Sequence, residues 1–208
     1  MTDFIEKTLK VKIEFVEPVL GAVPRDKELY TNFIAANAPD EAGAEEEIKK
    51  LTREERIDRR TSCFLMDEDG QPLLSNHVIK GLFKEAGKSI RRIPGKKYES
   101  QKLSLYRTKI DTLIFIYPRF IRLETPVDVD DCMEEFQRPC RAQTPQGERI
   151  TLRNSEKLPE GTTAEFEIQM MDKSLEPAIR EWLDYGSFHG IGEWRNADYG
   201  RFEWMEVK

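Results

Sequence analysis

Two stretches of strict alternation set the frame for this chain. Leu9, Val11, Ile13 and Phe15 alternate with Thr8, Lys10, Lys12 and Glu14, and Ala164, Phe166, Ile168 and Met170 alternate with Glu165, Glu167 and Gln169. A period of two places all the apolar side chains of a strand on one face, so each stretch predicts a half-buried β-strand that needs a covering layer. Helical patterns supply that layer. The residues Val78, Ile79, Leu82, Phe83 and Ala86 form one face of a helix predicted over 77–91, with Ser75 or Asn76 as its cap. Leu175, Ile179, Trp182 and Leu183 form the face of another over 174–185, where Pro177 is tolerated in the first turn.

The remaining segments fill in around these. Asp26 caps a predicted helix over 27–36, which Pro39 stops. The stretch 62–66 reads as a short strand, 67–71 as a turn and 72–74 as an extended piece. The segment 100–110 reads as either helix or loop. The unbroken apolar run 112–117 predicts a central strand buried on both faces, and 138–153 predicts a β-hairpin turning at Pro145-Gln146-Gly147-Glu148. The run 185–204 mixes Gly186, Gly190, Gly192 and Gly200 with Phe188, Trp194, Tyr199, Phe202 and Trp204, and reads as a shaped loop entering a last strand through Val207.

Strand, helix, strand, hairpin, strand, helix, strand predicts an α+β fold, a ferredoxin-like or RRM-like antiparallel sheet with helices packed on one face. A chain of 208 residues is long enough to bury a core without disulfides, and it is read as a single domain spanning 1–208. Charge dominates 38–61, read as a surface insertion, and 124–136 is acidic and turn-rich, read as an irregular excursion from the core. Cys63, Cys132 and Cys140 are odd in number with no CxxC pair, and His77 and His189 are the only histidines. These counts support neither a disulfide framework nor a zinc site, and no metal or cofactor is implied. No apolar run approaches the ~18 residues of a membrane span, and the first residues lack the order of a signal peptide. The expectation is a cytoplasmic protein without a membrane partner.

The net charge of −6 is unevenly spread. From Lys80 to Arg122 there are twelve basic residues against Glu85, Glu99 and Asp111. Phosphate binding depends on local potential within about 8–10 Å, so this asymmetry says more about partners than the total does. Lys80, Lys84 and Lys88 recur at spacing four along the first helix and lead into Arg91 and Arg92. Such a stripe is either a solvated face or a phosphate-facing ridge. Arg138 and Arg141 on the hairpin are edge-strand charges or nucleic-acid contacts. His189 is a candidate general acid or base, and Asp67 and Asp69 are candidate metal ligands, though both carboxylates are also ordinary turn chemistry.

Three stretches together resemble a family. They are Pro18-Val19-Leu20-Gly21 after the first strand, the segment from Asp69 to Lys84 with its Lys80-Gly81 pair, and the late loop ending Tyr199-Gly200-Arg201-Phe202. They are similar to the RAMP superfamily, especially the backbone subunits of CRISPR effector complexes; Ser75-Asn76-His77 stands where that family usually carries Gly-Ser-Ser. The resemblance implies a non-catalytic subunit that binds RNA or another single strand, with other protein subunits or copies of itself as further partners. On that reading Ser75, Asn76, His77, Lys80, Lys84, Lys88, Arg91, Arg92, Arg138, Arg141, Arg195 and Arg201 contact nucleic acid, and Gly190, Gly192 and Gly200 shape the loop. Two alternatives stay open: an RNA endonuclease of the same superfamily, and a phage or prophage interaction protein that binds no nucleic acid.

Overall fold

A computed structural model describes residues 4–24, 61–144 and 147–207. The helix expected over 27–36 and all but the last residue of the charged insertion lie outside the described residues. In chain order the first strands are β1 (Lys7–Phe15), β2 (Val19–Leu20), β3 (Val23–Pro24), β4 (Thr61–Cys63), β5 (Leu65–Met66) and β6 (Pro72–Ser75). Helices α1 (Asn76–Ile90), α2 (Glu99–Lys102) and α3 (Tyr106–Leu113) lead to β7 (Ile114–Tyr117) and β8 (Phe120–Glu124). After the one-turn α4 (Val129–Cys132) come β9 (Glu134–Thr144), β10 (Gly147–Leu158), β11 (Thr163–Met170), α5 (Glu176–His189) and β12 (Phe202–Glu206).

The fold is α+β. The two alternating stretches pair directly: β1 runs antiparallel to β11 with Leu9 opposite Ile168 and Val11 opposite Phe166. This register puts both apolar sets on one face, and a slip of one residue would turn either set to water. Around this pair the main sheet is ordered β12-β1-β11-β8-β6-β5, with β7 also joined to β11. Helices α1 and α5 share the core beneath it, where Ile79, Leu82 and Phe83 meet Ile179, Trp182 and Leu183. The Phe83 and Trp182 rings stand 5.5 Å apart. Each such side chain contributes about 1.5–3 kcal/mol by leaving water. A second sheet, β2-β10-β4-β3 with β9 on β10, carries the long hairpin.

Some expectations are corrected and others are given detail. Strand β7 is not buried on both faces: Ile114 and Ile116 are buried, while Phe115 is 41% and Tyr117 62% exposed. Among the described residues its only strand partner is β11, and the Asn76 amide donates to the Ile116 carbonyl at 3.0 Å. Asn76 is itself the first residue of α1 and so is not its cap. Ser75 occupies the cap position with no capping bond from its side chain, which is buried. Segment 100–110 contributes to two helices, and the Glu181 carboxylate of α5 accepts from the Glu99 and Ser100 amides at the start of α2. The stretch 124–136 returns to the core at Val129, 3% exposed.

Helix α5 outlasts the expected end at 185 and runs through Gly186 to His189. Gly186 is helical because a side chain there has no room: a Cβ would approach Phe202 Cζ at 2.6 Å and Leu82 Cδ2 at 2.8 Å. The glycine lets helix and last strand close together, which outweighs its poor helix propensity of about 1 kcal/mol. The helix stops at Gly190, at φ 75, whose N–H bonds the Gly186 carbonyl.

Candidate functional site

The lysine stripe on α1 divides in two. Lys84 Nζ lies 2.6 Å from Asp111 Oδ1 on α3, and Lys80 Nζ reaches the Asp111 carbonyl at 3.4 Å while sitting 5.5 Å over the Phe115 ring. Burial lowers the Lys80 pKa below its ordinary value, with Asp111 opposing that shift. These two lysines therefore join α1 to α3. Beyond them the chain stays basic with nothing acidic between Glu85 and Glu99. Lys88, Arg92, Lys96 and Lys97 are exposed and have no ion pair with any described residue. Arg91, also exposed, leans on the Tyr106 ring at 5.3 Å and donates to the Leu103 carbonyl.

The late loop is held by backbone packed on backbone. Ile191 N–H donates to the Gly200 carbonyl, Gly200 N–H to the Pro18 carbonyl, and Val16 N–H to the Arg201 carbonyl. Gly200, at φ 72, has no alternative: a Cβ there would overlap the Ile191 carbonyl oxygen. A Cβ at Gly192 would stand 2.7 Å from the Leu20 carbonyl oxygen. These close approaches account for the glycines and for the Pro18-Val19-Leu20-Gly21 turn at once, since the two segments are built against each other.

The arginines nearby are drawn into pairs. Arg138 Nη2 meets Glu193 Oε2 at 2.8 Å, with the side chains only 6% and 15% exposed. The Ser155 hydroxyl donates to the same oxygen at 3.3 Å. Arg195 binds the Glu85 carboxylate of α1 at 2.5 Å, and His189 Nε2 stands 3.1 Å from its other oxygen. The His189 approach is electrostatic rather than a well-directed hydrogen bond. Burial acts to raise the Glu85 pKa, but Arg195 and His189 overcome it and hold the carboxyl below its usual value. Arg201 Nε donates to the Ser187 carbonyl at 3.4 Å. Arg141 is on β9, and its side chain lies outside the described residues. His77 is exposed at the start of α1. Asp67 accepts from the Asp69 and Gln71 amides, and Arg122 approaches both carboxylates at 3.7–3.8 Å, so this pair is built as a turn. Among the described residues no group of three His, Cys, Asp or Glu side chains is placed to hold a metal ion, and no helix is long and apolar enough to cross a membrane.

The structure also assembles a group that the sequence reading passed over. Phe136 of β9, Trp194 and Tyr199 cluster at the base of the hairpin, with the Trp194 and Tyr199 rings stacked at 5.3 Å and 14°. The Arg138 guanidinium lies 4.8 Å over Trp194. Trp194 itself sits at φ 54, a region bulky side chains avoid. The available signal was the spacing of Phe136 and Arg138, which alternation places on one face of a strand.

No family model and no curated protein matches the sequence. Solved structures do match. Over 97% of its length the chain superposes on a chain of the type III-B Cmr-beta complex, whose structure was determined with cognate target RNA bound, at TM-score 0.56 and 12% identity. In fold, the chain is similar to a protein of that complex. It spans 59% of that protein's length. A chain of a type IV-B CRISPR complex aligns with 97% of this chain and 90% of its own length, at TM-score 0.49 and 13% identity.

Proposed function

We propose that this chain is a non-catalytic, single-stranded RNA-binding subunit of a CRISPR-type ribonucleoprotein, RAMP-like in kind and acting as one domain. The observation that carries the reading is the exposed basic run Lys88, Arg92, Lys96 and Lys97, which no described acidic side chain neutralises. Uncompensated cations at one end of a helix draw in phosphates and release their counterions, whatever the net charge of the whole chain. The fold likeness to a protein of an RNA-bound effector complex agrees with it. Cleavage has less support, because His189 is held between Glu85 and the Tyr185 ring and the Asp67 turn is engaged by its own amides and Arg122.

The test compares two variants by fluorescence anisotropy with a labelled uridine oligomer. Replacing Lys88, Arg92, Lys96 and Lys97 with alanine is expected to weaken binding at least tenfold. Lys80→Ala with Lys84→Ala is expected to weaken it far less, since those lysines serve Asp111. Equal losses in both variants, or loss in neither, would reject this placement of the RNA.

A further inference from the structure

The hairpin base and the glycine loop border an open surface cavity of about 330 Å³ lined by Arg138, Gly192, Glu193, Trp194, Arg195 and Asn196. That is the lower end of small-ligand sites, which run about 300–1,000 Å³. Its charges are balanced in place: Arg138 is paired with Glu193, and Arg195 with Glu85. A phosphate entering here would find both guanidinium groups engaged and a carboxylate facing it, so the cavity is a poor phosphate subsite despite its two arginines.

The same lining suits a flat, neutral, polar ligand. The Glu193 carboxylate and the Asn196 amide supply acceptors and a donor for the rim of a planar heterocycle. Trp194, 37% exposed, leaves an aromatic edge open beside them. Arg138 is 5% exposed, and its Nε is buried without a hydrogen-bond partner among the described residues. Proteins that read single-stranded RNA splay individual bases out, stack them on aromatic or guanidinium planes and hydrogen-bond their edges. We infer that this cavity takes one unstacked nucleobase of the bound strand, its edge read by Asn196 and Glu193 beside the exposed edge of Trp194. The inference rests on the RNA-binding reading and adds a base-reading subsite, separate in chemistry from the basic run that holds phosphates.

Tryptophan emission of the whole protein is titrated with guanosine, adenosine, cytidine and uridine, and separately with ribose 5-phosphate and inorganic phosphate. Saturable quenching by at least one nucleoside, and by neither phosphate compound, is expected. Asn196 is exposed, so Asn196→Ala keeps the fold and the reporter, and it should weaken the nucleoside at least tenfold. Trp194→Phe should remove the signal and assign it to this residue. No saturable quenching by any nucleoside, equal quenching by ribose 5-phosphate, or an unaltered response in Asn196→Ala would overturn the subsite. Binding of the uridine oligomer, measured in parallel, separates the two readings. An oligomer that binds while nucleosides do not defeats the base subsite alone. Nucleosides that bind while the oligomer does not leave the cavity's chemistry standing and defeat the proposed RNA function.

Discussion

Removing the Arg138 side chain should loosen the joint between the hairpin and the rest of the fold. Its guanidinium bonds Glu193 at 2.8 Å with both partners largely out of water, and it covers the Trp194 ring. Arg138→Met keeps most of the side-chain volume but leaves the Glu193 carboxylate, 15% exposed, without that partner. Stranding one charge of a buried pair costs about 3–5 kcal/mol, and the lower end applies here because Ser155 still donates to Glu193. At about 3 kcal/mol, and about 2–4 °C per kcal/mol for a chain of this size, the melting temperature should fall by about 6–12 °C. The assay is thermal and urea unfolding followed by circular dichroism, run as a double-mutant cycle with Glu193→Leu. Because removing both charges abolishes the stranded carboxylate, the double variant should be more stable than Arg138→Met alone. A single-variant cost under about 1 kcal/mol, with a double variant equal to the sum of the singles, would refute the claim that this pair is buried and coupled.

Three further outcomes follow from the same geometry. Gly200→Ala should cost at least about 3 kcal/mol, because positive φ and overlap with the Ile191 carbonyl act together, whereas Gly70→Ala, at φ 77 with open space around it, should cost only about 1 kcal/mol; chemical denaturation reads both. Gly186→Ala should lower stability despite its gain in helix propensity, by about 1–3 kcal/mol of overpacking against Phe202 and Leu82, and a stabilised variant would show that the α5–β12 approach is looser than described. Because Glu85 titrates lower in the folded than in the unfolded chain, its contribution is present above the ordinary value of 4.5 and is lost as the pH falls through the folded pKa. Stability measured from pH 6 downward should therefore decline less steeply in Glu85→Gln than in the parent.

What the sequence made legible was set by periodicity. The alternations at Leu9–Phe15 and Ala164–Met170 fixed the β1/β11 pair and its buried face, and the spacing of Ile79, Leu82 and Phe83 fixed the inward side of α1. What it hid depended on partners far away in the chain. The run 113–117 looks uniformly apolar, yet within β7 only Ile114 and Ile116 are buried, and the exposure of Phe115 and Tyr117 follows from where β7 joins the sheet. Gly186 reads as loop until Phe202 and Leu82 are seen to leave it no room for a Cβ. The arginines were the least legible of all: nothing local says that Arg195 will meet Glu85 or Arg138 will meet Glu193, because each pair joins separate elements. Lys88, Arg92, Lys96 and Lys97 could be read more directly, since the absence of acidic residues between Glu85 and Glu99 is visible in the sequence itself.

The most direct test of RNA binding through that basic run is its salt dependence. The affinity for a uridine oligomer is measured from about 50 to 200 mM salt for the parent and for the variant lacking Lys88, Arg92, Lys96 and Lys97, and the logarithm of affinity is plotted against that of salt concentration. Each phosphate contact on a single strand contributes about −0.7 to the slope, so loss of four contacts should flatten it by about 3. A parent that shows no binding at the lowest salt, or a slope shared unchanged by parent and variant, would contradict the account.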